Sequence, residues 1–434
     1  MNSTTTTTSA AMPLIKSEQS AMTTATMNAS SDVSVSKALE TFSSSSTPTP
    51  VIKTLSLQDF LALETRTQFL QEMRHSLTTI GTFYIKDHGV ATDLTTGAMQ
   101  TVRDYFSLPL GEKKKMMIGN SRHFRGYKLI GEELTNNLVD HREQLQFAPE
   151  QAPLDSFVPT TSLDYHGLQG PNQWPATTLA AVPELQSTIL KFMDELETLS
   201  HHIMEAVALS LGLEASYFKS LFGENPYYRL KCAKYPSVNK AATIGCGAHK
   251  DTGFLTVLLQ DMVGGLQGQD PVSGQWMDTC PIPDTFIVTM GEAIERMTGG
   301  LYHATVHRVL NNTSGQDRYS IPFFFDPSLD AEIPHRIPQV SIGGRPKTLA
   351  PSMSFSPIVG ESDYESDDDE LEGMMDSLNI HGEVTDSAIE GEVVVAAENI
   401  DRPTRRTWSN GEHIFETVHR CHPEVFDRWY TSEQ

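Results

Sequence analysis

His249, Asp251 and His307 are the residues of this chain best suited to metal chemistry. His249 and Asp251 flank Lys250, and His307 lies 58 positions beyond His249. Two imidazoles and one carboxylate can hold one face of a divalent metal and leave the opposite positions open, a donor set that suits ferrous iron and dioxygen chemistry. The His-x-Asp spacing has a physical basis. Residues i and i+2 of an extended strand project to the same side, so a strand or strand end aims His249 and Asp251 together while Lys250 turns away. The third ligand can come from a distant strand. His303, four residues before His307, competes for that place.

Arg318-Tyr319-Ser320 follows His307 by eleven residues and runs into the apolar stretch Ile321-Pro322-Phe323-Phe324-Phe325. Alternation puts Arg318 and Ser320 on one face of one strand. An inward arginine is costly to bury unless it meets an anion. A guanidinium fork beside a hydroxyl makes a carboxylate clamp. Three metal ligands and a neighbouring clamp describe iron(II) beside 2-oxoglutarate.

The elements that must position these groups are legible in the hydrophobic pattern. From Tyr228 onward the chain reads as short β-prone runs, at 228–231, 254–259, 285–290, 305–310 and 319–325, punctuated by Gly, Pro, Asn and Asp. Upstream, residues 183–211 repeat apolar side chains every three or four positions, from Leu185 through Ile189, Phe192, Leu196, Leu199, Ile203 and Val207 to Leu211. That spacing predicts a helix, with Pro183 at its start and Gly212 at its end. His201 and His202 within it are read as surface or packing residues, and His88 as a turn residue. Gly81 to Ile85 reads as a strand. The stretch Ser409-Asn410-Gly411-Glu412 is a capping box before an apolar helical face.

Several ordered motifs then resemble the 2-oxoglutarate and iron(II)-dependent dioxygenases of the isopenicillin N synthase-like family. They include Gly81 to Val90, Tyr105 to Pro109 with Glu112-Lys113, and Phe124-Arg125-Gly126-Tyr127. Lys234-Tyr235-Pro236, Gly264-Gly265-Leu266-Gln267, Gly274-Gln275-Trp276 and Gly291-Glu292 follow, before the His307 and Arg318 segments. The likeness covers roughly 51–345 and 405–430. It implies a mainly β fold with flanking helices around a double-stranded β-helix, jelly-roll or cupin-like, core. It implies His307 rather than His303 as the third ligand, Arg318 and Ser320 on the distal carboxylate of 2-oxoglutarate, and Tyr235 as a further donor there. Where many members carry Asn or His just before that tyrosine, this chain has Cys232, Ala233 and Lys234. The implied activity is oxidation of a small organic molecule by dioxygen, by hydroxylation, desaturation or cyclisation, with release of succinate and carbon dioxide. Two rival readings are a 2-oxoglutarate-independent iron oxidase of the same fold and a catalytically silent binding or scaffold protein. Tyr127, Phe323 and Phe325 are candidate pocket aromatics.

The 434 residues divide into a Ser/Thr-rich N-terminus at 1–50, expected to be disordered; an N-terminal α/β region at 51–165; a buttressing helical region at 166–222; and the iron and 2-oxoglutarate domain at 223–350. An acidic insert at 351–404, also expected to be disordered, and a C-terminal helix at 405–434 complete the chain. Fifteen acids and no Lys or Arg lie within 351–401, and removing that stretch takes the formal net charge from −23 to −8. Such charge repels phosphate, so a nucleic-acid partner is not expected. Ser362 and Ser366, each followed by acids, raise the expectation of regulatory contacts through the insert. Four scattered cysteines give no disulfide framework and no paired zinc spacing. Cys246 sits close enough in sequence to His249 to lie near the metal. No signal peptide and no run of about 18 apolar residues is visible, so a cytoplasmic protein without a membrane partner is expected.

Overall fold

Strict alternation in Arg318–Asp326 decides which way the core faces. Ile321, Phe323 and Phe325 turn to a buried apolar layer, while Arg318, Ser320, Pro322 and Phe324 turn to a cavity. Phe323 and Phe325 therefore belong to the core, and it is Phe324 that reaches the pocket. Tyr127 is also core: it is buried, and its hydroxyl donates to Glu143. The computed structural model describes residues 51–135, 138–153, 165–238, 244–337 and 407–430. The expected N-terminal segment 1–50 and acidic insert 351–404 lie outside them.

Arg318–Asp326 is a central strand of an eight-stranded sheet. The order across that sheet is Thr54–Ser56, Thr82–Lys86, Phe286–Met290, Leu255–Gln260, Arg318–Asp326, Tyr227–Tyr235, Glu143–Phe147 and Gly126–Lys128. A smaller sheet runs Trp276–Asp278, Leu266–Gln269, His307–Val309 and Cys246–His249. The two sheets line a common cavity of about 280 Å³, the arrangement of a double-stranded β-helix. The boundary read at 165 does not separate two cores, because the strands Thr82–Lys86 and Glu143–Phe147 complete the larger sheet.

The outer face of that sheet is covered by Leu185–Ser210. Its Ile189, Phe192, Leu196 and Ile203 share one apolar cluster with Val257, Ile321, Phe323 and Phe325. Each such side chain contributes ~1.5–3 kcal/mol on burial. Gly212 adopts φ +78°, and its N–H donates to the Leu209 carbonyl while that of Leu213 reaches back to Ala208. This Schellman turn ends the helix where the glycine predicted it. Pro183 lies in the turn just before the helix rather than inside it. His201 packs edge-on against Phe325, and His88 accepts from the Val90 N–H. Both are structural histidines.

The C-terminal segment is two helices, Asn410–Cys421 and Pro423–Trp429, where one was expected. Pro423 cannot donate to the preceding turn and starts the second helix instead. The Ser409 side chain caps the first by accepting from the Glu412 N–H.

Candidate metal centre

His249 ends its strand, His307 begins the neighbouring one, and the two are direct partners in the antiparallel register of the smaller sheet. Their ring centroids stand 4.4 Å apart at 54°. Asp251 comes after the strand has ended, so the i, i+2 alternation carries the chain only to its edge. Asp251 Oδ1 nevertheless lies 3.9 Å from His249 Nε2 and 3.7 Å from His307 Nε2. Ligand atoms of all three lie within 4.8 Å of one another, a grouping found nowhere else among the described residues.

Supporting contacts fix each group. His249 Nδ1 lies 2.8 Å from the Gly247 carbonyl and His307 Nδ1 3.0 Å from that of Thr305. A carbonyl can only accept, so each Nδ1 carries the proton and each Nε2 offers its lone pair to the centre. Asp251 Oδ2 accepts a 2.6 Å hydrogen bond from the Thr256 hydroxyl, leaving Oδ1 toward the rings. The loop carrying Asp251 is seated by close glycine packing. A Cβ on Gly253 would strike the Asp326 carboxylate, and one on Gly291 would strike the Gly253 carbonyl. The Glu292 N–H donates to the Asp251 carbonyl.

Burial by itself raises the Asp251 carboxyl, but the His307 and His249 imidazoles, the Thr256 hydroxyl and Arg229 together carry it below the ordinary carboxylate range. Burial lowers His307, reinforced by His249 and opposed by Asp251. Both shifts favour the forms that bind a cation, a carboxylate and a neutral imidazole. The donor set thus fits iron(II).

Two other side chains lie beside the centre. His303 lies outside the strand, with Nδ1 3.8 Å from Glu295 and away from the three converging groups. The Cys246 thiol sits 3.8 Å from His249 Nδ1, on the side of the ring that faces away from Asp251. Burial pushes it up to about 12, so it stays protonated.

At the far end of the cavity the Arg318 guanidinium is 1% exposed. Its hydrogen bonds go to neutral groups, Ser320 Oγ at 3.3 Å and Gln260 Oε1 at 3.1 Å. Its Nε is buried without a partner. Among the described residues no carboxylate comes within 4 Å of it. A buried cation with an unused donor fits an incoming carboxylate such as that of 2-oxoglutarate. Tyr235 is opposite Arg318 in register and places its ring, not its hydroxyl, against the guanidinium, 4.9 Å from centroid to Cζ. The hydroxyl accepts from Arg142 at 3.4 Å.

Four residues of the site escaped sequence reasoning. Thr256 and Gln260, the partners of Asp251 and Arg318, lie on one strand four residues apart. The alternation of Leu255–Gln260 could have flagged both as inward polar residues. Arg142 and Arg229 also line the cavity. Arg142 left no local signal, because what places it is the pairing of the short 143–147 strand with Tyr227–Tyr235.

Known proteins resemble this chain in sequence and fold. Residues 50–177 match the family described as the N-terminal region of non-haem dioxygenases in morphine synthesis, and residues 225–327 match the 2OG-Fe(II) oxygenase superfamily. The chain is 34% identical over 306 residues to 1-aminocyclopropane-1-carboxylate oxidase of Dictyostelium discoideum, covering 63% of this chain and 80% of that protein. It is 34% identical over 277 residues to the 2-oxoglutarate-dependent dioxygenase frbJ of a Dothideomycetidae species, covering 62% and 72%. The crystal structure of full-length Neurospora crassa T7H in complex with alpha-KG is similar with a TM-score of 0.58 and 26% identity, over 68% of this chain and 90% of that one.

Proposed function

The chain belongs to the 2OG-Fe(II) oxygenase superfamily, and from that premise we propose how its residues divide the work of a non-haem iron, 2-oxoglutarate-dependent dioxygenase acting on a small organic molecule. His249, Asp251 and His307 hold iron(II). Arg318 and Ser320 hold the distal carboxylate of 2-oxoglutarate, and Tyr235 supports Arg318 through its ring. The observation that carries this division is the convergence of two free Nε2 atoms and one free carboxylate oxygen in the cavity that also holds the anion-deficient Arg318. When bound, iron(II) with 2-oxoglutarate and dioxygen supplies the oxidising chemistry, coupling formation of succinate and carbon dioxide to oxidation of the substrate.

The protein's own contribution is positional. The Gly247 and Thr305 carbonyls hold the imidazole tautomers, and Thr256 turns Asp251 so that one oxygen faces the metal. The inward row of Arg318, Ser320, Pro322 and Phe324 sets the co-substrate end of the cavity apart from its more apolar wall. Hydroxylation, desaturation and cyclisation are all open to such a site. Measuring succinate against oxygen consumed tests the reading. Succinate formed in step with oxygen supports it. Oxygen consumption without succinate would indicate a 2-oxoglutarate-independent oxidase, and neither would indicate a silent binding protein.

Among the described residues no helix is long and apolar enough to cross a membrane. A cytoplasmic location rests on the sequence alone, on its four scattered cysteines, and so do regulatory contacts through the acidic segment 351–404, on its fifteen acids and the acid-flanked Ser362 and Ser366. Deleting 358–401 without change in abundance, partners or activity would count against the second.

A further inference from the structure

Besides Arg318, two further guanidinium groups line the cavity, those of Arg142 and Arg229. Arg229, Lys231 and Tyr235 line it from one strand. Most of the cations there are already neutralised at close range. Lys231 pairs with Glu133 at 3.3 Å, Arg142 with Asp140 at 2.9 Å, and Lys250 with Glu295. Arg229 is not. The residue is 7% exposed, its side chain makes no hydrogen bond among the described residues, and its Nε is buried without a partner. Its nearest acid is Asp326, whose Oδ2 stands 3.9 Å away while Oδ1 accepts from the Phe254 N–H at 2.9 Å. A buried guanidinium whose ion-pair partner stands too far for a hydrogen bond keeps donors for a second anion.

Its place in the register separates it from the co-substrate clamp. Arg318 is opposite Tyr235, whereas Arg229 is opposite Phe324, six residues along the same strand, or about 20 Å at the usual rise. The two arginines thus start from well-separated backbone positions on the cavity wall. Phe324 is also opposite Thr256, the residue whose hydroxyl holds Asp251, so Arg229 flanks the metal centre. The Phe324 ring lies 5.4 Å from the Arg229 guanidinium carbon and offers an apolar seat beside the charge.

We propose that Arg229 selects the substrate, gripping a carboxylate of a small organic acid whose apolar body lies on Phe324 beside the metal centre. This rests on the dioxygenase reading above and names its substrate class. The test uses the full chain, anaerobic, with iron(II) and saturating 2-oxoglutarate. The probes are acetate, phenylacetate, 3-phenylpropionate and cinnamate, each compared with its neutral primary amide by calorimetry and by perturbation of the visible band of the iron–2-oxoglutarate chelate.

At least one carboxylate should bind 10- to 100-fold more tightly than its amide, the range of a charge-assisted hydrogen bond. Arg229→Gln should erase that preference and Arg229→Lys should restore part of it, while the chelate band reports that each variant is folded. The assignment is overturned if none of the four carboxylates outbinds its amide, or if the preference survives in Arg229→Gln. Should that variant not fold, the native comparison and Arg229→Lys still decide. Absence of the chelate band in the native protein would instead sink the dioxygenase reading, and this assignment with it.

Discussion

The Thr256 hydroxyl donates to Asp251 Oδ2 at 2.6 Å, and this contact decides which carboxylate oxygen faces the two imidazoles. Thr256 sits on a rigid strand of the larger sheet, paired with Phe324 on one side and Thr289 on the other. Asp251 sits on a loop. The hydrogen bond therefore transmits the order of the sheet to a ligand that has no strand of its own. Thr256→Val keeps the shape and strand preference of the residue and deletes the donor. Iron(II) affinity should fall about 10- to 100-fold, as for other contacts that orient a ligand, with little change in thermal stability. Equilibrium dialysis measures it, and an unchanged affinity would show that Asp251 is oriented by its loop alone.

His303 and His307 are separable by the same assay. His307→Ala removes one of three donors and should abolish stoichiometric iron binding. His303→Ala should leave it intact, since His303 lies against Glu295 instead. Loss of iron with His303 changed and not with His307 would reverse the assignment.

How much of this site the sequence discloses depends on the range of the interaction. His249, Asp251, His307, Arg318 and Ser320 sit in short motifs whose side chains act locally, so their types and spacing mark them. The inward face of 318–326 was equally legible by alternation, yet Phe323 and Phe325 drew notice as pocket aromatics when the same alternation that turns Arg318 inward selects Phe324. Arg142 and Arg229 were not legible. Their meaning depends on which cations find a carboxylate nearby, and that follows from strand pairing across long stretches of chain. The long helix 185–210 was readable because apolar periodicity and a glycine stop agreed. The division at 165 has no counterpart in the larger sheet, which takes strands from both sides of it.

Asp326 gives a pH signature. It is fully buried, and burial pushes its carboxyl up to about 6 despite the opposing charge of Arg229 and the Phe254 N–H. The unfolded chain titrates near 3.9, so between about pH 4 and 6 the folded state holds the extra proton. Stability from this group then falls as pH rises through that window. The penalty is complete above about pH 6, on the order of 2–3 kcal/mol. Asp326→Asn keeps the acceptor for Phe254 and removes the titration. The variant should be more stable than the native chain at pH 7 in urea, with the difference shrinking toward pH 4. A pH-independent difference would place the titration elsewhere.

The central claim is that three converging side chains and one anion-deficient guanidinium hold iron(II) and 2-oxoglutarate together, and an anaerobic titration tests it most directly. Adding 2-oxoglutarate to the iron(II)-loaded protein should develop the weak visible charge-transfer band of the chelate, saturating at one equivalent per chain. Arg318→Met should need about 10- to 100-fold more 2-oxoglutarate for the same band, and His307→Ala should show none. No band in the native protein, or one that Arg318→Met leaves unmoved, would contradict the account.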